Sequence, residues 1–177
     1  MPRVFVQLAG DDLLNCMTME TVGGAAWSGT VQIAAYTYAG TGVVRMKPAV
    51  LPNLVVDDGL NLVRDGLRGA RDDLQIRYIA LGADSTAPAA GDSSLGDERF
   101  RKFLTQQSAG NTGEVKSTFY IAPQEANDFT IEELGFFAGD ASDAAGSGTL
   151  VARVLYSRAK TASEALQIER SDQIKAA

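Results

Sequence analysis

Val55-Val56-Asp57-Asp58-Gly59-Leu60-Asn61-Leu62-Val63-Arg64-Asp65-Gly66-Leu67 is the one stretch of this sequence with a clear helical period. Leu60, Val63 and Leu67 recur at spacings of three and four, with Leu62 beside them. Arg64, Asp65 and Arg68 fall on the other side. Asp57 or Asp58 suits the N-cap, where a carboxylate accepts from the free N–H groups of the first turn and its charge suits the helix dipole. Gly69 is a natural stop. Gly59 and Gly66 each weaken such a helix by roughly 1 kcal/mol relative to alanine, so it needs tertiary packing to persist. The spacing predicts a helix over about 57–68 that buries Leu60, Val63 and Leu67 on a sheet.

Working outward, everything else reads as strand and turn. On the C-terminal side, Ile76 to Leu81 is a strand ended by Gly82, and residues 83–94 form a loop rich in Ala, Ser, Asp and Pro. Phe100 and Phe103 flank Arg101-Lys102. Ser108 to Gly113 is a turn, and Val115 to Ile121 alternates as a strand. Phe129 to Phe137 is a strand with an acidic centre. Residues 138–148 form a hairpin loop, and Thr149 to Tyr156 and Ala165 to Ile168 close the series. On the N-terminal side, Phe5 to Leu8 and Thr30 to Tyr38 read as strands, and Gly23-Gly24 marks a turn. After a turn at Gly40-Thr41-Gly42, Val43 to Met46 returns as a hairpin partner. Pro48 and Pro52 bracket a stiff connector through which no regular element is expected to run. The tally is eight or nine strands and one helix. It predicts a mainly β (α+β) fold: an antiparallel sheet or β-sandwich with one amphipathic helix packed on it. A module boundary is expected near 47–53. It divides a small N-terminal β module (1–52) from the main domain (53–177).

Composition narrows the function classes. Apolar residues make up 45% of the 177 and charged residues 21%, so a folded core is expected. The net charge of −6 and the scattered Lys and Arg argue against nucleic acid as a partner. No segment approaches the roughly 20 apolar residues of a membrane span. The N-terminus is too short and too soon polar for a signal peptide, which points to synthesis in a reducing cytoplasm. Cys16 is the only cysteine and reads as a small packed hydrophobe.

The chain contains no histidine, which removes Ser-His-Asp and Cys-His catalysis and histidine metal sites. Glu132 and Glu133 invite a paired-carboxylate reading, but neighbours on a strand point to opposite faces and cannot share a proton. One of them is expected to be solvated and the other to pair with Arg99 or Arg101. Asp57-Asp58 and Asp72-Asp73 are not set in a calcium-binding loop and read as caps and turns. Trp27, Tyr36 and Tyr38 could line a sugar-binding surface, but a core or an interface between subunits suits them better. No catalytic residue, cofactor or metal site is expected.

Four spaced segments carry a resemblance. They are the helix start Asp58-Gly59-Leu60; Leu95, Glu98, Phe100 and Arg101; Ile131, Glu133, Leu134, Gly135, Phe136 and Phe137; and Gly148, Leu150 and Ala152. In this order, over about 100 residues, they resemble the N-terminal attachment domain of phage tail-collar and tail-fibre proteins. That family usually begins at its own N-terminus and continues into a shaft and receptor-binding tip. Here about 50 residues precede the matching part, and the chain stops soon after it.

The resemblance implies a structural virion protein of a tailed bacteriophage, not an enzyme. It would be assembled in the host cytoplasm as a tail tip, baseplate or collar component that anchors or adapts fibres. The implied partners are other tail proteins and copies of itself, as a trimer or a multiple of three. Residues 1–50 or the loops at 83–94 and 138–148 would supply contacts to copies of the chain or to a neighbouring tail protein, and neighbours would hold the polar tail 171–177. Any fibre or host-receptor contact would run through a partner. Interface or structural roles fall on Leu60, Val63, Leu67, Glu98, Arg101, Glu133, Gly135, Phe136, Trp27, Tyr36 and Tyr38. Head decoration is the structural alternative. A carbohydrate-binding module using Trp27, Tyr36 and Tyr38 is the alternative from another class, and a glycan hydrolase using Glu133 is a third.

Overall fold

A computed structural model describes residues 25–39 and 42–176 of the chain. Cys16, the expected strand at 5–8 and the turn at 23–24 lie outside the described residues. Eleven strands and one helix follow in order: β1 (Ala25–Ala39), β2 (Gly42–Arg45), β3 (Ala49–Pro52), β4 (Leu54–Val55), α1 (Asp57–Leu67), β5 (Tyr78–Gly82), β6 (Glu98–Phe103), β7 (Gln106–Ala109), β8 (Glu114–Ile121), β9 (Thr130–Ala138), β10 (Thr149–Ala159) and β11 (Glu164–Ala176). The fold is mainly β, with two antiparallel sheets.

Sheet A runs β2-β1-β11-β8-β7, with β3 also on β1; sheet B runs β4-β10-β9-β5-β6. The Val43–Met46 return appears as β2, paired from Tyr36↔Arg45 to Ala39↔Gly42. The proline-bracketed connector is not irregular: β3 pairs with β1 from Thr30↔Pro52 to Ile33↔Ala49. Proline is tolerated there because β3 is an edge strand and needs donors on one side only. The strands on either side of 47–53 share one sheet. β1, before it, pairs along its length with β11, from Ala25↔Ala176 to Thr37↔Glu164. The same pairing holds residues 171–176, so the chain's own β1 takes the place expected of a neighbour.

Alternation in sheet B separates two cores. Ile79 lies opposite Phe136, and Leu81 opposite Leu134. These pairs face sheet A and pack with Val31, Ile33, Phe119, Ile121, Leu166 and Ile168. The intervening pairs, Ala80 with Gly135 and Tyr78 with Phe137, face the other way. There a smaller cluster of Val56, Ala80, Leu95, Phe137, Ala141 and Leu150 lies under the loops that follow β5 and β9.

The helix forms where expected but buries a different face. Its buried residues are Gly59 and Leu62. Leu60 is 48% exposed and Leu67 86% exposed, and Val63 is half-buried. The cause is the close approach of α1 to β10. A Cβ on Gly59 would stand 2.5 Å from the Val151 carbonyl oxygen, so only glycine lets the backbones meet. Once Gly59 faces β10, Leu62, Val63 and Gly66 follow it at helical spacing, and Leu60 and Leu67 rotate outward. The N-cap is Val56, without a side-chain cap. The first-turn N–H of Asp57 is met instead by the Ala90 carbonyl at 2.8 Å. Asp57 and Asp58 lie inside the first turn, where their charge suits the dipole. Gly69 ends the helix as expected, at φ 70°.

Gly59→Ala is expected to lower the urea unfolding midpoint, although alanine is the better helix former by about 1 kcal/mol. Leu62→Ala should cost about 2–5 kcal/mol, and Leu67→Ala should leave the midpoint in place. A stabilising Gly59→Ala would mean that α1 does not lie against β10.

Candidate functional site

The far face of sheet B carries a buried polar network. Glu133 on β9 is fully buried (0% exposed). Its position on the far face follows from the strand's alternation, and Gly82 opposite it leaves room for its side chain. Arg153 on β10 lies opposite Gly135, one step along the same face. Its Nε donates to Glu133 Oε2 at 2.7 Å, its Nη1 to Asp92 Oδ2 at 2.9 Å and its Nη2 to Asp84 Oδ2 at 3.4 Å. The other lone pairs of Glu133 accept the Gly96 N–H at 3.2 Å and the Asp97 N–H at 2.9 Å. One guanidinium and one carboxylate thus tie the 83–97 loop down at four points. Glu132, on the opposite side of the strand, accepts from the Ser157 hydroxyl.

Glu133 is therefore paired with a base, but with Arg153 rather than Arg99 or Arg101. Arg99 pairs with Asp97 at the surface. Arg101 forks onto Glu98, Nε–Oε1 at 2.7 Å and Nη2–Oε2 at 2.8 Å. It lies over the Phe137 ring, 4.2 Å from the centroid, and donates to the Ser142 and Ser147 carbonyls. Glu98 also accepts from the Gly146 N–H. Arg101 and Glu98 fasten the 139–148 loop as Arg153 and Glu133 fasten the 83–97 loop. Between the two anchors, the missing Cβ of Gly135 admits Leu95 and Leu150, whose methyls would stand 2.8 and 3.1 Å from it. Phe136 faces the inter-sheet core and packs beside Phe119.

Both aspartates in the hub titrate low. Asp84 is held below the ordinary value by the Thr86 N–H and hydroxyl, with Arg153 adding to the effect. Burial works to raise Asp92, but the Ala89 N–H and Arg153 outweigh it and hold this carboxyl low as well.

The three aromatics do not share a surface. β1 pairs without a bulge from Ala25 to Thr37, so Trp27 and Tyr36 fall on opposite faces. Trp27 donates its indole N–H to Asp172 at 2.9 Å, beside Arg170, whose guanidinium lies 4.9 Å from the Phe136 ring. Tyr36 and Tyr38 are on the outer face of sheet A, where the Tyr38 hydroxyl meets that of Tyr120 at 3.3 Å. A flat three-ring sugar platform is not built.

Sequence reasoning missed Arg153, Asp84 and Asp92, and also Arg170, Asp172 and Lys160. Lys160 is buried and donates to the Pro123 and Glu125 carbonyls and to Asn127. A usable signal existed for Arg153: a lone charge inside the apolar run Leu150–Leu155. Among the described residues, no group of three metal-ligating side chains occurs, and no helix is long and apolar enough to cross a membrane. An open cleft between α1 and the start of β10 is lined by Asp58, Asn61, Asp65, Arg71, Ser93 and Thr149. No family model, curated protein or solved structure matches the chain.

Glu133→Ala should cost about 3 kcal/mol in urea unfolding, because it leaves Arg153 buried with its main partner gone. The double variant Glu133→Leu with Arg153→Met should lose less than the two single changes combined. A strictly additive pair would mean that the ions do not interact.

The hub also predicts an acid limit. The folded-state values of Asp84 and Asp92 lie below the unfolded value of about 3.9, so the unfolded chain takes up protons first. Their stabilisation is complete above about pH 4 and is lost as pH falls through the folded values. Melting temperature should drop on that acid side, and the drop should be smaller in an Asp84→Asn, Asp92→Asn double variant.

Proposed function

We propose that this chain is a structural subunit of a tailed-phage virion, placed at the tail tip, baseplate or collar, where it anchors or adapts fibres. One observation carries the reading. The four segments that resemble tail-collar attachment domains, far apart in sequence, converge on one unit. Gly59 seats α1 on β10 at Val151. Leu95 and Leu150 close over Gly135. Glu98 and Arg101 clamp the loop that ends at Gly148. Glu133 holds the N–H groups beside Leu95. Motif residues that buttress one another are what a docking module needs, since rigid loops present a surface without an ordering cost at each contact.

The chemistry agrees with a non-enzymatic part. Glu133, the residue a hydrolase reading would use, is fully buried, with its oxygens occupied by Arg153 and two backbone N–H groups. The subunit works as a homo-oligomer, a trimer or a multiple of three, in which each contact is repeated by symmetry. Fibre or receptor contact passes through a partner.

Antibodies raised against the purified chain should label the tails of intact particles in negative-stain images, at a number of sites divisible by three. Labelling of heads alone would move the chain to head decoration, and particles that carry none of it would end the virion reading.

A further inference from the structure

We propose that the free edge of sheet A, made by β2 and β3, is a strand-docking site for an extended apolar segment of a partner protein flanked by carboxylates. This rests on the assembly reading and names the partner's chemistry. Among the described residues, β2 and β3 pair with β1 on one side only. An edge strand of this kind leaves a row of N–H and C=O groups to pair with another chain. Arg45, Lys47 and Pro48 guard the end of this edge against indiscriminate pairing, and among the described residues no helix packs on β2. Val43 is 58% exposed and Val44 59% exposed. They lie on opposite faces, Val43 beside Tyr38 and Val44 beside Thr37. Met46 and Val50 extend the apolar strip, and both are exposed.

Charge selects the occupant. All 22 acidic residues of the chain lie outside residues 21–56, and within that span the only charges are Arg45 and Lys47. Both are exposed, and neither appears in an ion pair among the described residues. A basic, apolar edge on a chain of net charge −6 favours a partner with acids beside its strand. A second copy fits poorly. A two-fold pairing of this edge centred on residues 45–47 would set Arg45 and Lys47 against the same residues of the mate, and no carboxylate within residues 21–56 would offset them. The opposite edge of sheet A, β7, offers Gln106, Gln107, Ser108 and Ala109, with no large apolar side chain to cover the valines.

The probe is a fluorescein-labelled peptide of alternating valine and threonine with two glutamates at each end, read by anisotropy against the full chain. Saturable binding is expected. It should weaken by about tenfold or more in an Arg45→Glu, Lys47→Glu double variant, and that variant should prefer a peptide flanked by lysines. Val44→Lys should abolish binding by both peptides while the unfolding midpoint stays in place. A peptide with proline at its centre should not bind. No saturable binding, equal binding by the proline peptide or indifference to the charge swap would overturn the proposal. So would self-association, seen by sedimentation, that Val44→Lys abolishes, because the edge would then belong to a second copy. A chain that fails to bind the peptide yet is found on virion tails would overturn the edge alone and leave the assembly reading standing.

Discussion

The salt bridge between Arg153 and Glu133 is the contact on which the far side of sheet B depends. A buried guanidinium is costly unless every donor finds an acceptor, and here the acceptors come from β9 and from two points on the loop after β5. The loop is therefore shaped by the ion it covers. Leu95 is carried down onto Gly135, and the Ala90 carbonyl is brought to the first turn of α1. Helix, loop and two strands thus share one electrostatic centre, and a change at Arg153 would be felt at each of them.

A second buried pair stands inside the sandwich. Arg170 and Asp172 are two apart on β11, so both point to the interior, where Arg170 Nε donates to Asp172 at 2.8 Å. Trp27 on β1 donates to the same carboxylate. A slip of β1 by one residue would turn Trp27 outward and strand the pair. The buried charges and the apolar alternation of Val31, Ile33, Leu166 and Ile168 thus require the same register of β1 on β11.

Much of the β framework was legible in the sequence because alternation is local. Thr30–Tyr38 with its β2 return, Val115–Ile121 and the acidic-centred β9 could each be read from a few residues. Three things were hidden, each for a physical reason. The packing face of α1 was concealed because close approach is made by glycine, which a hydrophobic pattern counts as a weakness. The partner of Glu133 was concealed because Arg153 lies 20 residues on: its apolar surroundings mark it as a buried charge, but nothing local says which carboxylate it meets. The length of β11 was concealed because its interior positions turn from Leu166 and Ile168 to Arg170 and Asp172, so the apolar signal stops while the strand continues.

The pairing of β1 with β11 also sets a timetable. Residues 25 and 176 meet at one end of the ladder and 37 and 164 at the other, so most of the sequence separates the two strands. Contacts of such long range make folding slow, because loop closure precedes any reward. At a ribosomal rate of ~5–20 residues per second, β1 waits on the order of ten seconds for its partner. During that interval β1 lacks the strand that joins it to β8, and the core around Val31, Ile33 and Ala35 is incomplete. The nascent chain is then most exposed to misassociation, and growth temperature and chaperone supply would bear on its yield more than the stability of the finished fold.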